Sequence, residues 1–229
     1  MSALGLPRVH HRETDSTNER ARELAIAGAP HGTLVTAGSQ SAGRGRQGRT
    51  WSAPPGQSLL FSMVLRPPHR LLPLATGVAV ADALASLGVE PMLKWPNDVL
   101  LDGRKVAGIL AEGRPAEGWA VVGIGINVAV REQDLPDEVR SIAATLGLPR
   151  SSIEEVLSTV VTAMDRRLLE EEGALLDAFR ERDALFGREV SWSGGVGIGA
   201  GIDGTGRLVV EAAGVRHMLD AGEVHLGLG

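Results

Sequence analysis

The chain contains no cysteine, and this absence excludes several kinds of chemistry. Disulfides, thiolate metal sites and covalent thioester intermediates all need a cysteine sulfur. The chain also lacks a run of about 18 apolar residues, the length that a membrane-spanning helix requires. Its N-terminal segment, MSALGLPRVHHRETDS, has no apolar signal-peptide core. We therefore expect a cytoplasmic protein without disulfides and without membrane contact.

The chain also has no net positive charge. The formal net charge is −5, whereas proteins that hold nucleic acid by displacing counterions from phosphates present basic surfaces. Nucleic acid is therefore not an expected partner. Of the 229 residues, 43% are hydrophobic and 22% are charged, which is ordinary globular usage and predicts one or two folded domains.

Hydrophobic periodicity and turn residues predict both helices and strands in the first 185 residues. A helix opens at Ser16, whose spacing to Glu19 fits a capping box. Further helical patterns cover residues 72–87 and 151–185. Strands are predicted at residues 33–37, 58–65, 92–95, 99–101, 105–111 and 119–128. These elements predict an α+β fold in which helices flank a mixed β-sheet.

The character of the sequence changes after Leu185. From Phe186 onward, short β-type runs at residues 189–192, 208–211 and 224–228 alternate with glycine-rich turns such as Asp203-Gly204. We therefore divide the chain into a larger domain, residues 1–185, and a small β domain, residues 186–229. Because about 44 residues form a marginal domain when alone, we expect the small domain to pack against the larger one.

A loop between two predicted strands is rich in glycine and arginine. It reads GSQSAGRGRQGRTW from Gly38 to Trp51. The glycines let backbone amides approach a ligand closely, and the arginines supply fixed charge and forked donors, so phosphate or carboxylate is a natural guest. A solvated linker or a weak nucleic-acid patch has the same composition, and the loop alone leaves these interpretations open.

Two further segments carry candidate polar groups. KWPND places Lys94, Asn97 and Asp98 on one rim of a turn at Pro96, although such a turn also forms without any ligand. Lys105 stands at the mouth of the apolar run VAGIL, from where its ammonium can reach a developing negative charge. An exposed hairpin lysine is the simpler interpretation of Lys105 alone.

The segment GIGIN, residues 123–127, superficially looks like a dinucleotide-binding glycine loop. It lacks the required spacing and lies within a predicted strand rather than at a helix start, so a Rossmann site is rejected. The small residues let a flat ligand lie against the sheet, or they let neighbouring strands pack closely.

Together, the order and spacing of these segments resemble the catalytic core of the biotin–protein ligases. STN at 16–18, GRGRQGRTW, KWPND, RKVAGIL and GIGIN carry the resemblance over roughly residues 13 to 130. The C-terminal β domain resembles the small SH3-like barrel of that family. The family's loop usually reads GRGRRGR, so Gln47 departs from it and no cation stands at that position. The resemblance implies a class II synthetase-like catalytic fold.

The resemblance also implies an activity, in the short form of the family without an N-terminal DNA-binding domain. Biotin and MgATP would form biotinyl-5′-adenylate, and a lysine of a biotin carboxyl carrier protein would then attack the acyl carbon. ATP, biotin and Mg²⁺ are thus the implied ligands, the carrier protein is the implied partner, and a homodimer stays open.

Roles for individual residues follow from the same resemblance. The implied catalytic residues are Lys105, Arg44 and Arg46. The implied biotin-binding residues are Ser16, Thr17, Asn18, Gln40, Gly43, Arg44, Lys105, Gly108 and Gly123. The implied nucleotide-binding residues are Arg46, Arg49, Trp51, Lys94, Asn97 and Asn127. For Asp98 we hypothesise a contact with magnesium.

Other functions stay open at this point. Lipoate–protein ligases share the fold and modify a lysine, but they lack the paired GRGRxGR and KWPND motifs, and the related octanoyltransferases need a cysteine. A biotin-sensing regulator without transfer activity would leave the charged loop unexplained. Since only 15 residues precede the capped helix, too few for a three-helix DNA-reading domain, operator binding is not expected.

Overall fold

The computed structural model describes residues 4–135, 137–220, 222 and 224–226. The larger of two sheets has seven strands in the order β1-β2-β3-β7-β6-β5-β4. These strands are β1 (Arg8–His11), β2 (Leu34–Ala37), β3 (Ser58–Leu65), β4 (Met92–Lys94), β5 (Asp98–Leu101), β6 (Arg104–Arg114) and β7 (Trp119–Asn127). β1 and β2 are parallel, and the other neighbouring strands pair antiparallel. The predicted mixed sheet is confirmed.

Helices cover both faces of the larger sheet. The helices are α1 (Thr17–Ile26), α2 (Leu72–Ser86), α3 (Asp137–Arg140), α4 (Ile153–Arg167) and α5 (Glu172–Arg180). On one face, Ala21 and Ala25 of α1 pack with Val35, Val64 and Val121. On the other face, α2 packs against the sheet and α4 packs against α2. Because β3 and β7 are covered from both sides, their sequences are nearly continuous apolar runs and every residue in them is buried.

The helical predictions need two corrections. The region 151–185 is not one helical run, because α4 ends at Arg167 and α5 begins only at Glu172. The predicted capping box at the start of α1 is not formed either, since the side chain of Ser16 makes no capping hydrogen bond. The Glu19 carboxylate instead pairs with Arg22 and Arg44. Opposite charges nearby outcompete the neutral cap.

The second sheet comprises five antiparallel strands in the order β11-β10-β9-β8-β12. They are β8 (Glu189–Trp192), β9 (Gly195–Ile202), β10 (Leu208–Ala212), β11 (Val215–Leu219) and β12 (His225–Leu226). This sheet is consistent with a small barrel-like domain. The predicted strand at 224–228 is seen only at its first residues, because 227 and 228 lie outside the described part of the chain.

The part of the chain that forms the small sheet contacts the KWPND segment and α5. The indole Nε1 of Trp95, in the KWPND segment, donates to the carbonyl of Gly206 at 3.0 Å. Arg180 Nε donates to the carbonyl of Ile202 at 3.2 Å. The expected contact between the two parts is therefore present, while the boundary at residue 185 stays a prediction. No helix within the described residues is long and apolar enough to span a membrane.

Candidate functional site

A cavity opens on the α1 face of the larger sheet. Successive residues of a strand point to opposite faces, so Gly123 and Gly125 share this face with Val121, which is covered by α1. The space above the two glycines is occupied by side chains of the cavity wall, Asn18 at the start of α1 and Trp51. The predicted site residues that line the cavity are Ser16, Thr17, Asn18, Gln40, Arg44, Arg46, Arg49, Trp51, Lys94, Asn97, Asp98, Lys105, Gly108 and Gly123.

One end of the cavity is a neutral hydrogen-bond network. Thr17 gives both its backbone N–H and its hydroxyl to Gln40 Oε1, at 2.7 and 3.0 Å. Ser62 Oγ lies 2.8 Å from Thr17 Oγ1 and 2.7 Å from Asn18 Oδ1, and its single proton serves one of them. Thr17, Asn18 and Ser62 are buried. Such a network fixes uncharged donors and acceptors for a polar, uncharged ligand group.

Gly123 has a spatial reason to be glycine. A Cβ atom built on Gly123 would overlap Asn18 Oδ1. The absence of a side chain therefore lets the Asn18 amide lie directly on β7. For this position the reason differs from both interpretations of GIGIN: the small residue accommodates a neighbouring side chain of the cavity wall.

The glycine- and arginine-rich loop folds over the cavity as a flap, which we define as residues 43–51. Its two sides are joined by a β-bridge between Arg44 and Thr50, and Trp51 N donates to Gly43 O at 3.0 Å. Gly43 does not line the cavity; its place is at the base of the flap, where a Cβ would overlap Trp51 O. At the tip, Gln47 adopts a left-handed conformation with φ of 55°. The loop predicted from composition thus has a defined hairpin-like path.

Trp51 lies flat on the two glycines of neighbouring strands. A Cβ on Gly125 would come within 2.5 Å of Trp51 Cε2, and one on Gly108 would come within 2.9 Å of Trp51 Cζ3. The indole Nε1 is buried without a hydrogen-bond partner in the described chain. A buried donor without a partner is costly, so this N–H is suited to a ligand acceptor.

The other end of the cavity is strongly cationic. Its wall carries Arg46, Arg49, Lys94 and Lys105, against the single carboxylate of Asp98. Arg44 also lines the cavity, but it pairs with Glu19 and Glu112. Lys105 Nζ lies 2.7 Å from Asp98 Oδ1, and Arg46 Nη1 donates to Asn97 Oδ1 at 3.1 Å. Burial lowers the pKa of Lys94, although the Asp98 carboxylate opposes this shift. A surplus of converging cations suits a ligand that carries several negative charges.

Asn127 is not part of this cavity. It lies on the same face of β7 as Gly125 but is buried, and both its amide nitrogen and its amide oxygen are hydrogen-bonded. Its Nδ2 donates to Ala144 O at 3.0 Å, and its Oδ1 accepts from Ser58 Oγ at 3.3 Å. In this arrangement Asn127 anchors the segment around Ala144 to the sheet, and its predicted nucleotide contact would require these bonds to break.

The cavity has no preformed metal cage. Within the described residues, no three His, Cys, Asp or Glu side chains lie close enough together to hold a metal ion. Magnesium, however, is commonly held by one or two carboxylates together with substrate phosphates. Asp98 offers one such carboxylate among the cations, so the residues fit a magnesium ion that arrives with a nucleotide.

Several wall residues were not predicted from the sequence. Gly125 contacts the Trp51 ring. Ser62 belongs to the neutral hydrogen-bond network. Gly222 and Val224 of the small β domain also line the cavity. Ser62 was detectable in principle, because it is a polar residue in the middle of the apolar strand SLLFSMVL. The other contributions depend on how distant segments meet.

Comparison with known proteins places this geometry in a family. A family model described as the biotin/lipoate A/B protein ligase family matches residues 11–129. The chain belongs to this family. The biotin–[acetyl-CoA-carboxylase] ligase of Paracoccus denitrificans is 35% identical over 244 residues, covering 93% of this chain and 98% of the relative.

Two other relatives show that the fold is shared and that some members of the family are longer than this chain. The solved structure of the biotin protein ligase from Aquifex aeolicus in complex with biotin and ATP superposes with a TM-score of 0.83 at 30% identity, covering 96% of this chain and 98% of that one. The bifunctional ligase/repressor BirA of Bacillus subtilis (strain 168) is 40% identical over 152 residues, or 62% of this chain. The match covers 47% of BirA, about half its length.

Proposed function

We propose that the protein is an ATP-dependent biotin–protein ligase, which forms biotinyl-5′-adenylate and transfers biotin to a lysine of a biotin carboxyl carrier protein. The observation that carries this proposal is the polarity of one cavity: a neutral hydrogen-bond network at one end, and Arg46, Arg49, Lys94 and Lys105 with the single carboxylate of Asp98 at the other. A ligand with an uncharged polar ring and a distant carboxylate matches this gradient. The names of the relatives support the same ligand.

The neutral end would hold the ureido ring of biotin. That ring has two N–H donors and one carbonyl acceptor, and Ser16, Thr17, Asn18 and Gln40 offer matching groups around it. Gly108 and Gly123 make room for Trp51 and Asn18, which form the pocket floor beneath the fused rings, and Gly43 lets the flap fold beside Gln40. Because these groups are already fixed by mutual bonds, little entropy is lost when the ligand is bound.

The cationic end would join the two reacting anions. A carboxylate oxygen of biotin attacks the α-phosphorus of ATP, pyrophosphate leaves, and the mixed anhydride forms. Lys105 bridges the carboxylate and the α-phosphate, while Arg44 and Arg46 hold the flap over them. Positioned donors of this kind lower the barrier without covalent help from the protein.

The nucleotide would lie under the flap. Arg49 and Lys94 contact phosphate oxygens, Asn97 and Trp51 contact the rest of the nucleotide, and the unpartnered indole N–H of Trp51 supplies a donor. Asn127 would contact the nucleotide only if its hydrogen bonds to Ala144 and Ser58 were replaced by bonds to the ligand. Magnesium supplies charge neutralisation of the phosphates, and Asp98 is the carboxylate that would hold it.

Transfer would complete the reaction. The acceptor lysine attacks the acyl carbon of the adenylate, AMP leaves, and an amide bond remains. The test is to incubate the purified protein with MgATP, radiolabelled biotin and a biotin carboxyl carrier domain. We expect biotin-dependent exchange of pyrophosphate into ATP and label on the carrier domain. Labelling of a carrier domain whose acceptor lysine is replaced by arginine should be absent.

The same assay separates the alternatives. A lipoate–protein ligase would support pyrophosphate exchange with lipoate rather than biotin, and a biotin sensor would bind biotin without labelling the carrier. We expect no need for nucleic acid, because the net charge of −5 gives no general affinity for phosphates. Activity that required added DNA would contradict this expectation.

A further inference from the structure

Glu112 lies between the flap and the neutral end of the cavity and touches both. It follows the apolar part of β6, and its strand partner on β7 is Val121, so its side chain leaves the sheet on the cavity face. Glu112 Oε1 accepts from Arg44 Nη2 at 2.8 Å, and Oε2 accepts from Asn18 Nδ2 at 2.8 Å. One carboxylate thus joins two segments that are far apart in the sequence.

On the flap side, Glu112 orients the guanidinium of Arg44. The two side chains are partly exposed, so they do not form a buried, neutralised pair. Arg44 is also 3.4 Å from Glu19, through its other terminal nitrogen. Two carboxylates from different elements therefore fix the plane of the guanidinium, which has five N–H donors and keeps others for an anion. The side chains of Arg44 and Glu112 are 45% and 29% exposed, and ion pairs this exposed add little to folding stability.

On the other side, Glu112 completes the hydrogen bonding of Asn18. Asn18 Nδ2 also donates to Leu110 O at 3.2 Å, and Asn18 Oδ1 lies 2.7 Å from Ser62 Oγ. The amide orientation is therefore determined, and Asn18 cannot turn away from Glu112 without losing these partners. The carboxylate is held from the pocket floor and reaches out to the flap.

We infer that Glu112 is a positioning residue of the ligase reaction: it sets Arg44 at the mouth of the cavity and couples the flap to the biotin end. This inference rests on the proposed function. Glu112 touches neither reactant; it acts through Arg44. Its stabilising role is small by the exposure argument, so its replacement should affect activity more than folding.

The test is Glu112→Gln, with Glu132→Gln as the matched control. A glutamine offers one acceptor oxygen, so its amide group must face either Arg44 or Asn18, both of which are donors. We expect kcat/KM for biotin in pyrophosphate exchange to fall about tenfold, the cost of losing one charge-assisted hydrogen bond at a partly exposed site. Glu132 also pairs with an arginine, Arg104, at 2.7 Å on the surface, and its variant should match the wild type.

A double-mutant cycle identifies the path of the effect. If Glu112 acts through Arg44, then Glu112→Gln should change kcat/KM no further in an Arg44→Ala background. A tenfold loss that persists in that background would overturn the inference, because it would place the effect in Asn18 or in folding. Wild-type kcat/KM in the Glu112→Gln single variant would overturn it as well.

A second measurement does not depend on the ligase activity. Trypsin should cut after Arg46 and Arg49 about threefold faster or more in Glu112→Gln than in wild type or Glu132→Gln, because the flap loses one anchor. Equal cleavage rates would overturn the inference while leaving the proposed function intact. Absence of biotin-dependent exchange in the wild type would instead overturn the proposed function, and the catalytic role of Glu112 with it, even if cleavage were faster.

Discussion

Lys105 Nζ lies 2.7 Å from Asp98 Oδ1, and this pair sets the position of the ammonium in the cavity. An ammonium has three N–H donors, more than one carboxylate oxygen can accept, so donors remain for anionic oxygens. The backbone of Lys105 is held as well, because its N–H donates to Ile142 O at 2.7 Å and its carbonyl accepts from Ala144 N at 2.8 Å. The lysine that has the central role in the proposed function is therefore held at its backbone and at its ammonium.

Lys105→Ala should abolish most adenylate formation. It removes a positioned cation from the two reacting anions, and loss of one such donor costs about 10² to 10³ in kcat. Pyrophosphate exchange at saturating biotin and ATP measures this loss. Arg104→Ala is the control, since the neighbouring guanidinium pairs with Glu132 on the surface. A Lys105→Ala variant with near wild-type exchange would contradict the role given to this lysine.

Gly123→Ala should weaken biotin binding. The new Cβ would overlap Asn18 Oδ1, so the Asn18 amide must move and its bonds to Ser62 and Glu112 must change. We expect KM for biotin to rise by about tenfold or more, from the loss of hydrogen bonds in a buried network.

Gly113→Ala provides the comparison on the neighbouring strand. Its Cβ would meet Ala120 Cβ at 3.7 Å, an ordinary contact, so KM for biotin should stay at the wild-type value. Equal KM values for Gly123→Ala and Gly113→Ala would mean that Asn18 does not help to bind biotin.

Much of the sheet could be predicted from the sequence, because β3 and β7 are apolar runs whose burial is local information. β1 could not, since Arg8, His10 and His11 leave a single apolar residue and the strand exists through its parallel pairing with β2. β9 was missed for a related reason: in GVGIGAGI every second residue is glycine, a pattern typical of turns. In both cases, tertiary pairing decides the structure over local preference.

The site was predictable as a set of motifs but not as a network. The flap and the KWPND segment could be identified from composition, order and resemblance. The contact of Ser62 with Thr17 and Asn18 depends on strand register, which pairs Ser62 with Gly123. The bridging position of Glu112 depends on the register of β6 with β7 in the same way. Register is set by long-range pairing, so the sequence alone could not assign these residues.

Lys94 should give nucleotide binding an unusual alkaline limit. Burial lowers its pKa below the usual lysine value of about 10.4. Above that lowered pKa the amine is neutral, so an attraction to phosphate that is full at neutral pH is lost as the pH rises through it. We expect the Kd for ATP to increase on the alkaline side at a lower pH than an ordinary lysine would allow.

Lys94→Arg tests this limit, because a guanidinium stays charged throughout the range. The measured quantity is the pH at which ATP binding weakens, not the affinity of the variant at neutral pH. Titration calorimetry with ATP at pH 7 to 10 should place that pH higher in the variant. The same alkaline limit in both proteins would mean that Lys94 does not set it.

Asp82 of α2 should carry a large part of the acid-sensitive stability. Its side chain is 11% exposed and meets Arg166 at 2.6 Å, Arg167 at 2.7 Å and Arg182 at 3.2 Å. Burial alone would raise its pKa, but the hydrogen bond from Arg167 and the three cationic charges outweigh burial and hold the pKa below the usual value. Its contribution is therefore complete above the unfolded-state pKa of about 3.9 and is lost as the pH falls below it.

Asp82→Asn should lower the free energy of unfolding at pH 7 by about 2 kcal/mol, less than for a fully buried pair because Arg166 is exposed. The difference from wild type should shrink towards pH 3, because below its unfolded-state pKa the carboxylate takes up a proton more readily in the unfolded chain than in the folded one. Urea unfolding at both pH values measures it. Asp137→Asn is the control, because Asp137 is 85% exposed beside Arg140. If the difference for Asp82→Asn were the same at pH 7 and pH 3, its stabilising contribution would come from shape rather than charge.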